Sequence, residues 1–238
     1  MEKIFLVLAI FFSFASLGFA ENGNLYINEE EKNVNSYIQK AIGLAAGGDF
    51  ERAYQEYKYA LEIEKTQLME KFLELFKDIL NQRVEKEIGI HLFKGLQYWW
   101  YVSPYKSDKA YEAIDEAIDE FKLVTAAKPD CELAHYLLGL IYYNTSYSGL
   151  EEGVSEYVIP AFKKAIEIDP NFASAHYWLA LAYIFSDISD EMIKCKLAVE
   201  HYDKAIELDP SLKDAHPVGN ALIIDEARKT LKERAPIE

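Results

Sequence analysis

Apolar residues recur at intervals of three and four along most of the chain, which is the spacing of amphipathic helices. Three segments repeat one arrangement, in which a histidine is followed four residues later by glycine or alanine and seven residues later by tyrosine: residues 91–98, 135–142 and 176–183. A second helical run follows each segment and ends at a proline: Pro129, Pro170 and Pro210. Repetition on this scale predicts an all-α chain built from successive helical hairpins.

The residues of each hairpin predict how its two helices pack. Leu138, Gly139 and Tyr142 fall on one stripe of a first helix. Gly139 has no side chain, so a second helix can approach it closely. Phe162 and Ala165 form the complementary stripe on that second helix. The proline that follows stops the helix because it has no N–H to donate and clashes with the preceding turn.

These residues resemble the tetratricopeptide repeat (TPR), whose pattern is W-x-x-L-G-x-x-Y, then A-x-x-x-F, then P. The resemblance covers residues from about 34 to 234 and is strongest over 131–211. It implies a right-handed α-solenoid of about four TPR-like helical hairpins with lengthened helices or turns, plus a C-terminal capping helix. The implied units are about 34–86, 87–130, 131–171 and 172–211, with the cap at 212–238.

The chain departs from the family pattern in two ways. Pro129 to Pro170 spans 41 residues and Pro170 to Pro210 spans 40, against about 34 in the family. The surplus falls between the two helices of each unit and predicts longer helices, an added loop, or both. Histidine also replaces the family's tryptophan in three successive units. Because stacked units are displaced by about 10 Å, we expect each imidazole to pack in its own hairpin with one hydrogen bond, and no metal site.

Residues 50–87 contain no glycine or proline, and their apolar positions have helical spacing. This segment predicts one long helix, kinked near Lys65. The alternative is an additional antiparallel element after the second helix of the first unit.

The first residues have the pattern of an export signal. An apolar run from Ile4 to Phe12 is followed by small residues ending at Ala20, which predicts a signal peptide over 1–20. An uncleaved membrane anchor is the alternative, since the 17 residues from Ile4 to Ala20 lie at the lower limit for a bilayer span. Residues 21–33 are predicted to form a flexible polar arm, and the protein is expected to be exported, to the periplasm or the extracellular space.

Net charge, cysteine content and motifs limit which partners and which chemistry we expect for this protein. The formal net charge of −15 argues against nucleic acid and anionic lipid. Cys131 and Cys195 are predicted to lie at opposite ends of a hairpin, too far apart for a disulfide. No nucleophile elbow, phosphate-binding glycine loop or metalloprotease motif is present, so we expect neither an enzyme nor a cofactor.

The resemblance implies that the first helices line the concave face of the solenoid. We call the residues predicted to face that groove the predicted row: Leu92, Leu96, Trp99, Tyr136, Leu140, Tyr143, Tyr177, Leu181 and Ile184. The predicted row is apolar and aromatic, which suits a protein or amphipathic peptide partner. Two further possibilities stay open for the same residues: a hydrophobic small molecule carried in a helical cavity, or self-association into an envelope structure. A soluble monomer rarely exposes a large apolar patch, so it is also open whether the chain itself covers the row.

Overall fold

In the computed structural model, the residues described are 34–234 without 64, 82, 103–107, 148–153 and 216–217. Over these residues every regular element is a helix, as the repeat pattern predicts. The predicted signal peptide and polar arm lie outside the described residues. The chain divides into two compact units, one ending at Pro129 and one beginning at Asp130.

The N-terminal unit contains paired helices around an aromatic core. Its helices are α1 (Val34–Ala46), α2 (Phe50–Ile63), α3 (Gln67–Leu80), α4 (Lys86–Val102) and α5 (Asp108–Ala127). Helix α1 pairs with α2 and α4 pairs with α5, while α1 also packs on α4 and α3 packs on α2. Phe93 stacks on Phe76 at 4.6 Å between ring centroids, and Tyr57 lies 5.3 Å from the same ring. Burial of these rings from three helices holds the unit together.

The prediction of one long helix over residues 50–87 was wrong. Two separate helices, α2 and α3, occupy this segment, so α3 is the additional element given as the alternative. Helix α2 ends at Ile63, and α3 begins after Thr66, whose backbone is extended (φ −126°, ψ 156°). The Thr66 hydroxyl accepts a hydrogen bond from the Met69 N–H at 3.2 Å. It therefore acts as an N-cap, which satisfies one donor left open at a helix start. A threonine before an apolar run was the sequence signal for this boundary.

The C-terminal unit repeats the hairpin arrangement. Its elements are α6 (Glu132–Tyr147), a π-helical turn (Val154–Val158), α7 (Ile159–Ile168), α8 (Ala173–Ile184), α9 (Glu191–Leu208), α10 (Leu212–Ala215) and α11 (Val218–Glu233). Helix α6 pairs with α7 and α8 pairs with α9, while α7 also packs on α8 and α11 packs on α9. The 18 residues of α9 and the six-residue connection 185–190 show that the second hairpin has both a long helix and a loop.

Glycine allows close helix packing in both units, which confirms the predicted role of Gly139. A Cβ added to Gly139 would lie 2.6 Å from a ring carbon of Phe162. A Cβ added to Gly95 would lie 2.5 Å from a ring carbon of Phe121. Both distances are far below van der Waals contact, so any side chain at either position would push the hairpin apart.

Helix α11 is fastened to α9 by buried apolar residues and ion pairs. Ile224 and Ala227 are buried, and Arg228 forms an ion pair with Asp203 of α9. Arg234 lies 2.6 Å from Glu191, at the start of the same helix. No helix within the described residues is long and apolar enough to cross a bilayer.

Candidate functional site

The structure places the predicted row mainly in the interior of its own units. All of its members except Ile184 are buried, with exposed fractions from 1% at Tyr177 to 9% at Tyr143. Ile184, the last residue of α8, is half-buried. This burial supports the alternative in which the chain itself covers the row. The assignment of these residues to partner binding stays a prediction.

In the C-terminal unit the row is packed ring against ring. The Tyr136 ring lies 4.7 Å from Phe172 and 6.0 Å from Phe162, and its hydroxyl is hydrogen-bonded to the Trp178 and Ser174 side chains. Burial raises the Tyr136 pKa above its ordinary value, although those hydrogen bonds oppose the shift. Tyr136 therefore links α6 to α8 as a neutral, hydrogen-bonded core residue.

Tyr177 is also a buried, hydrogen-bonded tyrosine, and its contacts come from α9 and α11. Its hydroxyl accepts a hydrogen bond from the Asn220 amide of α11 at 3.1 Å, and its ring lies 5.8 Å from Tyr202 of α9. Burial raises the Tyr177 pKa, so this hydroxyl stays protonated. Helix α8 is buried on every side, from Ala173 to Tyr183.

The row becomes accessible where α6 and α8 end. The Phe185 ring, next to Ile184, is 42% exposed and lies 6.4 Å from the Tyr143 ring. The Tyr157 ring is 44% exposed and lies 5.5 Å from Tyr142, the neighbour of Tyr143 in α6. We call Tyr142, Tyr143, Tyr157 and Phe185 the aromatic edge. Sequence reasoning missed Tyr157 and Phe185 because both lie beyond the repeated motif.

In the N-terminal unit the row residues Leu92, Leu96 and Trp99 are buried. Among the described residues of this unit, an exposed ring belongs to Tyr59, which is 51% exposed and lies 5.7 Å from Tyr37. These two tyrosines belong to the α1–α2 hairpin, whereas the row residues belong to α4.

Two histidines of the repeated motif have partners that the sequence did not reveal. His91 Nδ1 lies 2.5 Å from a carboxylate oxygen of Glu120 on the paired helix, a single contact as predicted. His176 makes two contacts: its Nε2 lies 3.1 Å from the Pro170 carbonyl oxygen, and its Nδ1 lies 2.9 Å from Nδ1 of His201. The repeated sequence motif aligns only the histidines of the first helices. It could not predict that His176 contacts His201, because His201 lies on a second helix.

The two facing imidazoles are neutral at neutral pH. Burial lowers the pKa of His201 to about 4, helped by the neighbouring His176 and by Lys163. Burial also lowers the pKa of His176, while its bond to the Pro170 carbonyl opposes the shift. The pair borders a cavity of about 410 Å³ lined by His176, Glu200, His201, Asp203, Lys204 and Glu207.

Other sequence features have structural roles. Cys131 and Cys195 are both buried, and the structure does not join them in a disulfide. Asn144, the acceptor of a potential glycosylation triplet, donates a hydrogen bond to the Leu140 carbonyl within α6 at 2.9 Å. That contact and the burial of Thr145 leave the triplet inside a helix rather than on an open loop.

Comparison with known proteins adds family information. Residues 159–184, which span α7 and α8, match the family model of the TPR repeat. No curated protein sequence matches the chain.

Similar solved structures include the thermophilic TPR protein TTC0263 of Thermus thermophilus, at 16% identity and a TM-score of 0.45, covering 80% of this chain and 98% of that one. MamA is similar at 20% identity and a TM-score of 0.40, covering 84% and 88%. The TPR2AB domain of yeast Sti1, in complex with pHSP90, is similar at 16% identity and a TM-score of 0.41, covering 84% and 69%.

The family model falls on the segment where the repeated motif is clearest, and the α4–α5 and α6–α7 hairpins share the same packing of glycine on a phenylalanine ring. Residues 159–184 therefore match a tetratricopeptide repeat, and the hairpins α4–α5 and α6–α7 are packed alike.

Proposed function

We propose that this protein is a non-enzymatic scaffold, exported from the cytoplasm, that holds a protein or an amphipathic peptide. TPR proteins are generally scaffolds for protein interactions, and repeated hairpins provide extended surfaces for such partners. The observation that carries the proposal is the aromatic edge, in which exposed Phe185 adjoins Tyr143 of the predicted row and exposed Tyr157 adjoins Tyr142, the next residue of α6.

The partner contacts the aromatic edge because the rest of the row is internal. An aromatic side chain buries about 150–250 Å² when fully covered, so the exposed parts of Tyr157 and Phe185 offer roughly 80 Å² each. Covering both at about 25 cal/mol/Å² contributes at most roughly 4 kcal/mol. A contribution of this size is typical of a binding hot spot, so other contacts must supply the rest of the interface.

Charge limits the partner further. With a formal net charge of −15, the protein repels other acidic surfaces at low ionic strength. A partner with an apolar centre and a neutral or basic rim fits best, and the association of a partner with a basic rim slows as salt is added.

The test compares variants that differ in which exposed apolar residue is removed. The double variant Tyr157→Ser, Phe185→Ser removes both exposed rings of the aromatic edge. The control is Leu222→Ser on α11, since Leu222 is 62% exposed and belongs to the same unit. Each protein is immobilised and exposed to an extract of its own host's envelope, and helix content is checked by circular dichroism.

We expect a partner retained by the wild type and by Leu222→Ser to be lost with the double variant. Equal retention by all three proteins contradicts the aromatic edge as the binding surface. Tyr136 and Tyr177 are unsuitable for this comparison, because truncating a buried ring costs about 3–5 kcal/mol of stability.

Export is tested separately. A mass measurement of the protein recovered from its host should give a chain that begins at Glu21. Recovery of the intact chain from Met1 in the membrane fraction contradicts a cleaved signal peptide.

A further inference from the structure

We propose that His176 and His201 form an acid-sensitive latch between α8 and α9, a contact that survives the binding of one proton and breaks when a second proton binds. The two side chains belong to paired helices, and their Nδ1 atoms lie 2.9 Å apart in a hydrogen bond. Neither residue belongs to the aromatic edge, so the proposal does not depend on partner binding.

The partners of each nitrogen define where the protons lie in the neutral pair. The Pro170 carbonyl can only accept a hydrogen bond, so Nε2 of His176 donates to it at 3.1 Å. Neutral His176 then has a lone pair on Nδ1, and Nδ1 of His201 is the donor between the rings. Nε2 of His201 is therefore unprotonated, and among the described residues it has no hydrogen-bond partner.

The first added proton preserves the bond between the rings. Nε2 of His201 is the nitrogen available to bind it, and the Nδ1–H of His201 still donates to the lone pair of His176. The hydrogen bond then has a charged donor, which strengthens it. The His201 ring also stacks on Tyr183, at 5.7 Å between centroids and 21° between planes, so the charged imidazolium lies beside an aromatic ring. These contacts offset part of the cost of burying one charge.

The second proton destroys the bond, because the nitrogen left to bind it is Nδ1 of His176. Both Nδ1 atoms then carry a hydrogen and neither can accept one. The two imidazolium rings, whose centroids are 5.1 Å apart, also repel each other. Since one ring belongs to each helix, the rings relieve this contact by separating, which loosens α8 from α9.

Charged groups around the pair oppose the second proton. Lys163 of α7 lowers the pKa of His201, and Lys204 of α9 lowers the pKa of His176, whereas Asp169 at the end of α7 raises the pKa of His176. The cavity beside the pair also has three carboxylates from α9: Glu200, Asp203, which pairs with Arg228 of α11, and Glu207, which pairs with Lys204. Carboxylates lose their own charge near pH 4, so these groups compensate a second positive charge only weakly.

The shifted pKa values give the direction of the response to acid. Burial lowers the pKa of both histidines, and the neighbouring His176 helps to lower that of His201 to about 4. Once the rings separate and contact water, each titrates near the ordinary value of 6.5. Between these values the open arrangement binds more protons than the closed one, so acid favours opening. The latch is therefore closed at neutral pH and opens as the pH falls toward about 4.

Nuclear magnetic resonance of the full chain, labelled with the heavy nitrogen isotope in its histidine rings, tests the positions of the protons. Ring nitrogen shifts distinguish protonated from unprotonated nitrogens, and a coupling between the two Nδ1 nuclei reports their hydrogen bond. As the pH falls from about 7.5 to about 3.5, we expect the pair to bind its two protons in separate steps. The coupling should be present after the first step and lost in the second.

Three results of this titration overturn the proposal. The first is a missing coupling at neutral pH. The second is uptake of both protons in one step near the ordinary pKa of about 6.5. The third is a coupling that persists after both rings are protonated.

Hydrogen exchange over the same pH range tests whether the helices separate. The variant is His201→Gln, because the glutamine amide has both a donor and an acceptor and so can bond to either protonation state of His176 without titrating. The matched control is His135→Gln, which changes the equivalent first-helix histidine of the preceding hairpin. All three proteins have the same acidic side chains, so protonation of carboxylates affects them alike.

In the wild type and in His135→Gln, exchange in α8 and α9, corrected for the intrinsic effect of pH, should become faster by at least about tenfold through the second step. His201→Gln should remove that acceleration. Equal acceleration in all three proteins contradicts the latch. If His201→Gln does not fold, the ring titration of the wild type still decides the question.

Discussion

The contact between Gly139 and Phe162 gives the sharpest prediction about stability. In Gly139→Ala, the new Cβ is placed 2.6, 2.7 and 2.9 Å from three carbons of the Phe162 ring. Ordinary contact begins near 3.4 Å, so the ring has to move by roughly 0.8 Å. Phe162 is fully buried, and Tyr136 lies only 6.0 Å away between centroids, so the ring has no open space to enter.

The magnitude follows from two opposing terms. Overpacking a tight core costs about 1–3 kcal/mol, whereas replacing glycine by alanine inside a helix gains about 0.5–1 kcal/mol. Gly139→Ala should therefore lower the free energy of unfolding by about 1 kcal/mol, within a range of roughly 0–2.5 kcal/mol. Gly43→Ala is the matched control, because Gly43 is exposed within α1 and an added Cβ meets nothing within 4 Å. It should raise stability by about 0.5–1 kcal/mol.

Urea unfolding followed by the helical circular dichroism signal measures both variants against the wild type. The two midpoints should move in opposite directions, downward for Gly139→Ala and upward for Gly43→Ala. If both variants are stabilised equally, the helices of the α6–α7 hairpin do not approach as closely as described. The reasoning about glycine in this repeat then fails.

Three further predictions use the same denaturation assay. The pKa of His201 is about 4 in the folded protein, against an ordinary value of 6.5. Between pH 4 and 6.5, therefore, His201 binds a proton in the unfolded chain but not in the folded one, which favours unfolding. Stability should decline as pH falls from about 6.5 to 4, by about 1–2 kcal/mol after solvent screening of the partly exposed ring, and His201→Gln should flatten the decline. Asp190 accepts hydrogen bonds from the N–H groups of Met192 and Ile193 at 2.9 and 3.1 Å. Asp190→Ala should cost about 1 kcal/mol, and an unchanged midpoint would refute its capping role. Gly48 has φ +85°, so Gly48→Ala should cost about 1 kcal/mol or more, and a stabilised variant would contradict that backbone conformation.

The hairpins could be predicted from sequence because their signals are local. Glycine opposite phenylalanine, as at Gly139 and Phe162, and a proline at the end of each second helix repeat at a nearly constant distance. Each of these residues acts on its own helix or on the next one. The break before Thr66 was missed because the apolar spacing continues on both sides of it, and only the capping residue marks the boundary.

The candidate site could be predicted less well, because exposure is a property of the packed unit. Tyr136 and Tyr177 have the spacing of groove residues, yet rings and an amide from other helices cover them. Periodicity cannot show this in α8, where every face of the helix is apolar and buried. Phe185 lies in a connection, outside any helical period, so its exposure emerged only from the structure.

Site-specific photo-crosslinking gives a direct test of partner binding at the aromatic edge. A benzophenone amino acid is placed at position 185 in the aromatic edge, or at position 222 on α11, and the protein is irradiated in its own host. We expect a crosslinked partner from position 185 and none from position 222. A crosslink from position 222 alone would contradict a scaffold that binds through its aromatic edge.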